Sequence, residues 1–258
     1  MATPTPTLAT PILATRGLGL DIGGARIVAD VSLEVRDGEL VGIIGPNGAG
    51  KTTLFNLLSG LMRPTAGTVE IDGRDVTSDA PFARTRAGLG RTFQTSSVFP
   101  LLPVRENVRL AAESALGGTL KLWRRAARFR PALDRADWAL ERVGLAERAF
   151  WPAGLLAHGD KRKLELAMVL AGESRVILLD EPMAGISHED VDGLVELIRS
   201  VHQEEGKTVL LVEHRMEVVL GLAQRIAVMH HGALLAFDEP AAVMANETVQ
   251  TAYLGEPL

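Results

Sequence analysis

Residues 45–52 read Gly-Pro-Asn-Gly-Ala-Gly-Lys-Thr, the order G-x-x-x-x-G-K-[ST]. Glycines let backbone N–H groups curl around phosphate oxygens, and a helix beginning at Lys51 adds its partial positive charge. Lys51 then reaches the terminal phosphates, and the hydroxyl of Thr52 is placed for Mg²⁺. A second cluster closes the apolar run 176–179, where Asp180 and Glu181 follow Val-Ile-Leu-Leu. In open α/β sheets ligands bind at the carboxyl ends of strands. Asp180 is therefore a candidate for holding Mg²⁺ through water, and Glu181 for orienting and polarising an attacking water. Taken alone, the acidic pair also fits a strand leaving into a polar turn. Beside a phosphate loop it points to hydrolysis of a nucleoside triphosphate.

The elements that must carry these residues alternate. Strand patterns cover 27–35 and 40–44, a helix starts at Lys51 and stops near Gly60, and a hairpin strand covers 68–71. A short strand is expected at 90–93. Between Pro103 and about Gly172 the period turns helical, with a stripe of Leu133, Ala136, Leu140 and Val143 closed by Gly144, and a helix over 160–170. Strand and helix then alternate again: strands at 176–179, 208–212, 226–229 and 234–236, helices at 189–203 and 216–223. Such alternation predicts a parallel sheet covered by helices, here interrupted by a helical subdomain.

Composition bounds the function. Against 27 Lys+Arg stand 32 Asp+Glu, a net charge of −5, so the chain lacks the basic footprint of a nucleic-acid binder. The absence of cysteine excludes a disulfide scaffold, a zinc-thiolate site and a cysteine nucleophile, and suits a reducing compartment. No apolar run approaches the ~18–20 residues of a membrane span. Residues 1–15 carry no positive side chain and are biased to Thr, Pro and Ala. They read as a flexible tail, at most ending in a short edge strand, rather than a signal or transit peptide.

Further along, GPNGAGKTT at 45–53, RTFQ at 91–94, LAHGDKRKLE at 156–165, ILLDEP at 177–182 and VEH at 212–214 occur in order. Together they resemble the ATP-binding subunits of ABC transporters from about Arg16 onward. The resemblance implies an α/β P-loop NTPase with a RecA-like core sheet, an antiparallel β subdomain and an inserted α-helical subdomain at about 95–172. Residues 16–258 then form one nucleotide-binding domain. It implies that Asn47, Gly48, Ala49, Gly50, Lys51, Thr52 and Thr53 bind ATP. Gln94 touches Mg²⁺ and the attacking water and relays contact with the membrane subunit, and His214 contacts the γ-phosphate and the water held by Glu181. Ala157, His158 and Gly159 belong to a signature-like loop facing the ATP of a second subunit across a head-to-tail dimer.

A narrower similarity is to the LivG-type ATPases of branched-chain amino-acid importers, carried by LAHGDKRKLELA, DEPMAGIS, VEHRMEVVLGLAQRIAVMHHG and TAYLGEP. It implies two membrane permeases, a second ATP-binding subunit (a sister chain before an identical copy), a secreted substrate-binding protein acting indirectly, and a cytoplasmic place on the inner face of the membrane. Importers of urea or short amides, and lipopolysaccharide exporters, share parts of the pattern. A kinase fits poorly. A non-hydrolysing nucleotide-binding module is the rival from another class.

Some positions depart from the family. Ile22 stands where relatives place an aromatic ring against adenine, Ala157 replaces a serine, Asp160 a glutamine, and Ser187 an aspartate. An insertion at 117–138 clusters Lys121, Arg124, Arg125, Arg128, Arg130 and Arg135 with Trp123, Phe129 and Trp138. Its alternatives are contact with anionic lipid or an acidic partner, and a solvated helix face.

Overall fold

The computed structural model describes residues 10–92, 98–116 and 125–254. The first part holds strands β1 (Leu13–Ile22), β2 (Ala25–Val35) and β3 (Leu40–Ile44), helix α1 (Lys51–Leu58), strands β4 (Ala66–Ile71) and β5 (Arg74–Asp75), helix α2 (Pro81–Arg86) and strand β6 (Leu89–Arg91). Helices α3 (Val104–Ala115), α4 (Arg125–Arg142) and α5 (His158–Ala171) follow and pack on one another. The last part holds β7 (Val176–Asp180), α6 (His188–Gln203), β8 (Thr208–Val212), α7 (Met216–Leu222), β9 (Arg225–His230), β10 (Ala233–Asp238), α8 (Pro240–Met244) and α9 (Glu247–Leu254).

Two sheets result. One is antiparallel, in the order β2-β1-β4-β5; the other runs β10-β9-β3-β8-β7-β6, parallel except for β10. Strands β3, β7 and β8 are buried on both faces, as their unbroken apolar runs require. Their alternate residues feed two cores. Leu40, Ile44, Ile177, Leu179, Val209 and Leu211 join the helices of one face. Val41, Ile43, Leu178, Leu210 and Val212 join Leu54, Phe55, Leu57 and Leu58 of α1 and the inner side of the antiparallel sheet. This is the expected P-loop architecture with an antiparallel subdomain and an inserted helical part.

Helix α1 is fixed at both ends. It starts from Gly50 in a left-handed conformation (φ 97°). At its C-terminus the carbonyls of Leu57 and Leu58 accept hydrogen bonds from the buried Arg84 guanidinium at 2.6 and 2.8 Å, and that of Leu57 also accepts from Gly60 N–H at 3.2 Å. That satisfies orphan acceptors that would otherwise be costly to bury.

Three sequence expectations change. Leu13, Ala14 and Thr15, read as the end of a tail, begin a ten-residue strand that lies between β2 and β4 instead of at an edge. Helix α5 begins at His158, with Ala157 extended before it, so the signature-like residues form the cap and first turn. In the insertion, Arg135 of the basic cluster pairs with Glu173, and Asp137 pairs with Arg105 (2.6 Å), so Arg135 is not a free cation; the side chains of Arg125, Arg128 and Phe129 lie outside what is described. Lys121, Trp123 and Arg124 lie outside the described residues, as does Gln94.

Candidate functional site

Parallel pairing aligns Ile43, Val212 and Asp180 along one edge of the core sheet. The phosphate loop, the acidic pair and His214 therefore leave three neighbouring strands at the same end, where a doubly wound sheet binds its ligand.

The loop itself depends on glycine. A Cβ on Gly45 would lie 2.1 Å from the Met229 carbonyl oxygen, so only glycine lets the chain pass β9. Gly48 has φ 79° with open space around it, so its need is conformational rather than steric. Ala49 is buried, its N–H donating to the Pro46 carbonyl at 3.2 Å, while Asn47 and Thr52 are exposed. Lys51 is 6% exposed, and its Nζ donates to the carbonyls of Gly45 (2.7 Å) and Pro46 (3.0 Å). Burial pushes the lysine pKa down, opposed by the charges of Glu181 and Asp180. Lys51 thus senses the charges of both carboxylates.

Asp180 ends β7 almost wholly buried. Burial pushes its carboxyl up, and the Arg91 guanidinium works against that. Its Oδ2 accepts from Arg91 at 2.9 Å, whereas its buried Oδ1 has no hydrogen-bond partner among the described residues. An orphan carboxylate oxygen beside a phosphate loop suits a metal-bound water, which Mg²⁺ retains in such sites. The residues present therefore fit Mg²⁺ brought with nucleotide, with Thr52 and Asp180 as its protein partners.

Glu181 is the next residue and adopts φ 48°, a left-handed conformation costing roughly 1–2 kcal/mol for a residue with a side chain. It is held there because its N–H donates to the Val212 carbonyl at 2.9 Å and its own carbonyl accepts from Ala184 at 3.0 Å. The strain turns its side chain back to the sheet edge, where Oε1 lies 3.0 Å from His214 Nε2. The structure thus brings Glu181 and His214 together as a pair.

Two residues in this arrangement had been quoted in motifs without a role. Glu213 is buried, accepting from Met183 N–H (2.9 Å) with Oε1 and from His214 N–H (2.9 Å) with Oε2. It pins the turn after Glu181 to the turn that carries His214. Arg91 grips Asp180. A carboxylate after a buried strand and an arginine ending one were the available signals.

Other expected residues lie apart. Ile22 sits half-exposed at the β1–β2 hairpin, paired with Ala25. Thr53 is on α1 behind Thr52. His158 Nε2 hydrogen-bonds the Ala184 carbonyl at 3.1 Å, and Gly159 lies beside Asp190. Among the described residues no hydrogen bond joins Ala157, His158 or Gly159 to the phosphate loop of the same chain. Ser187 donates to Asp190 at 2.7 Å, in the first turn of α6.

A family profile described as ABC transporter matches residues 28–184. The chain is 41% identical over 256 residues to the high-affinity branched-chain amino acid transport ATP-binding protein LivG of Salmonella typhimurium, covering 96% of this chain and 100% of that one. The corresponding BraF protein of Pseudomonas aeruginosa is 38% identical over 254 residues, with 96% and 100% covered. A nucleotide-free ATP-binding cassette from an ABC transporter superposes with a TM-score of 0.82 at 27% identity, covering 95% of this chain and 99% of that one. A dimeric cassette in a post-hydrolysis state, bound to ADP and Pi, gives 0.72 at 26% identity, covering 88% and 98%.

Proposed function

The chain belongs to the ABC transporter ATP-binding family, and from that premise we propose that it is the ATP-hydrolysing subunit of an importer of branched-chain amino acids. The observation that carries the cargo assignment is the 41% identity to LivG over 96% of the chain. An ATPase subunit does not itself touch the cargo, so the assignment rests on likeness and not on a pocket.

The chain's own residues have defined tasks. The backbone of 47–50 and Lys51 bind the phosphates of ATP. Mg²⁺, when bound with the nucleotide, neutralises phosphate charge. Thr52 and Asp180 hold it, with Gln94 as the third partner implied by resemblance. Glu181 accepts the proton of the attacking water, and His214 holds Glu181 and the γ-phosphate in register. Ile22 covers the adenine without an aromatic face. Ala157, His158 and Gly159 lie at the N-terminus of α5, whose dipole favours an anion. They complete the site of a second ATP-binding subunit. ATP then joins the pair, and hydrolysis releases it.

The partners are two membrane permeases and a second ATP-binding subunit, with a secreted binding protein acting through the permeases. Among the described residues no helix is long and apolar enough to cross a membrane; the likeness to LivG supports a place at the cytoplasmic face, held by the permeases. A surface suited to them follows shortly after Gln94. Phe99, Leu101, Phe150, Trp151 and Leu155 are all at least half exposed. Backbone hydrogen bonds from Gly154 to Pro100 and from Ala153 to Leu102 join the two segments into one apolar strip, of the kind that marks a protein interface.

Deleting the gene in its host and following uptake of labelled leucine, isoleucine and valine tests the cargo. Loss of their high-affinity uptake is the expected result. Normal uptake of all three, with loss of urea or amide uptake, would reject the assignment in favour of the related importers.

A further inference from the structure

Arg91 ends β6, and its side chain is only 7% exposed. One guanidinium nitrogen donates to Asp180 Oδ2 at 2.9 Å; the other donates to Asn56 Oδ1 and Ser59 Oγ, both at 2.8 Å. Its carbon lies 5.7 Å from the centre of the Phe55 ring. Phe55 and Asn56 belong to α1, the helix that begins with Lys51 and Thr52, and Ser59 is its C-cap. Asn56 is one helical turn beyond Thr52, on the same face. The fork of Arg91 therefore ties the end of β7 to the helix that carries the hydroxyl expected to hold the metal.

A buried ion pair is a poor device for stability alone, since desolvation cancels much of its attraction. A planar five-donor fork is instead suited to fixing several acceptors in a set geometry. Here it occupies one oxygen of Asp180 and leaves the other, Oδ1, as the unpartnered one. We propose that Arg91 is a positioning residue for the metal site: it locks the carboxylate of Asp180 so that Oδ1 faces the metal bound by Thr52, and it sets the spacing between α1 and β7 on which that site depends.

The inference rests on the nucleotide-binding reading above, and two separate quantities distinguish their failures. The first is the affinity of the full chain for a fluorescent ATP analogue in EDTA; the second is the factor by which Mg²⁺ tightens it. Two charge-conserving sets of substitutions are used, so that no change of net charge at Asp180 confuses the result. Arg91→Lys keeps the cation but removes the fork. Asn56→Ala with Ser59→Ala leaves Arg91 on Asp180 but removes its anchors on α1. Wild-type affinity in EDTA shows that each variant is folded and still binds phosphates. The Mg²⁺ factor is expected to fall about 10- to 100-fold in Arg91→Lys, the loss of a hydrogen bond to a charged group, and less in the double variant. An Mg²⁺ factor equal to or above that of wild type in both overturns the proposal, and a wild-type chain that binds no nucleotide in EDTA or Mg²⁺ overturns the reading beneath it. The milder double variant keeps the test open if Arg91→Lys does not fold.

Discussion

Glu181 is held in a left-handed conformation by two backbone hydrogen bonds, and this places its carboxylate 3.0 Å from His214. Strain at a residue proposed to move a proton persists because the surrounding structure over-determines it. Residue chemistry of this kind was legible in the sequence, since the phosphate loop and the acidic pair are local runs next to buried strands. Arg91 and Glu213 were not, because each acts on a partner far along the chain: Asp180 is 89 residues from Arg91, and Met183 is 30 from Glu213. Ile22 tests the adenine side. An aromatic ring there would add about 0.5–1.5 kcal/mol beyond area, so Ile22→Tyr is expected to tighten ATP binding roughly two- to tenfold. Unchanged affinity in a nucleotide titration would show that Ile22 does not cover the base.

At the scale of elements, the parallel core was readable because β3, β7 and β8 are short apolar runs bounded by polar turns. Strand β1 was not. Its sequence LATRGLGLDI carries Gly17 at φ 57°, and its pairing with β2 shifts register at three places, which breaks the alternation a strand is recognised by. The start of α5 also moved, because Ala157 offers no side-chain cap and only the backbone marks the boundary. Helix α3 carries a pH-dependent contact. Arg109 donates to Glu106 at 2.8 Å and, against some burial, holds its carboxyl below the ordinary value of 4.5. A carboxylate depressed in the folded state contributes stability that is present above its unfolded pKa and lost as pH falls through the folded one. Glu106→Gln should therefore lower the melting temperature at pH 7, and the difference from wild type should shrink below about pH 4. A difference that stays constant from pH 7 to pH 3 would contradict that contact.

At the scale of the whole molecule, the residues proposed to act on nucleotide fall into two groups. The phosphate loop, Asp180, Glu181 and His214 gather at one end of the core sheet, while the N-terminus of α5 bonds to the turn after Glu181 through His158 and Ala184. On the proposed reading such a chain works in company, with a second ATP-binding subunit completing each site and permeases using the motion. The most direct test uses the chain purified with its partners from its host, comparing phosphate release from ATP by wild type and Glu181→Gln while nucleotide binding is followed in parallel. Removal of the base is expected to slow release about 10²- to 10⁴-fold with binding intact. Turnover by Glu181→Gln at the wild-type rate, or a wild-type complex that binds ATP and releases no phosphate, would contradict the account.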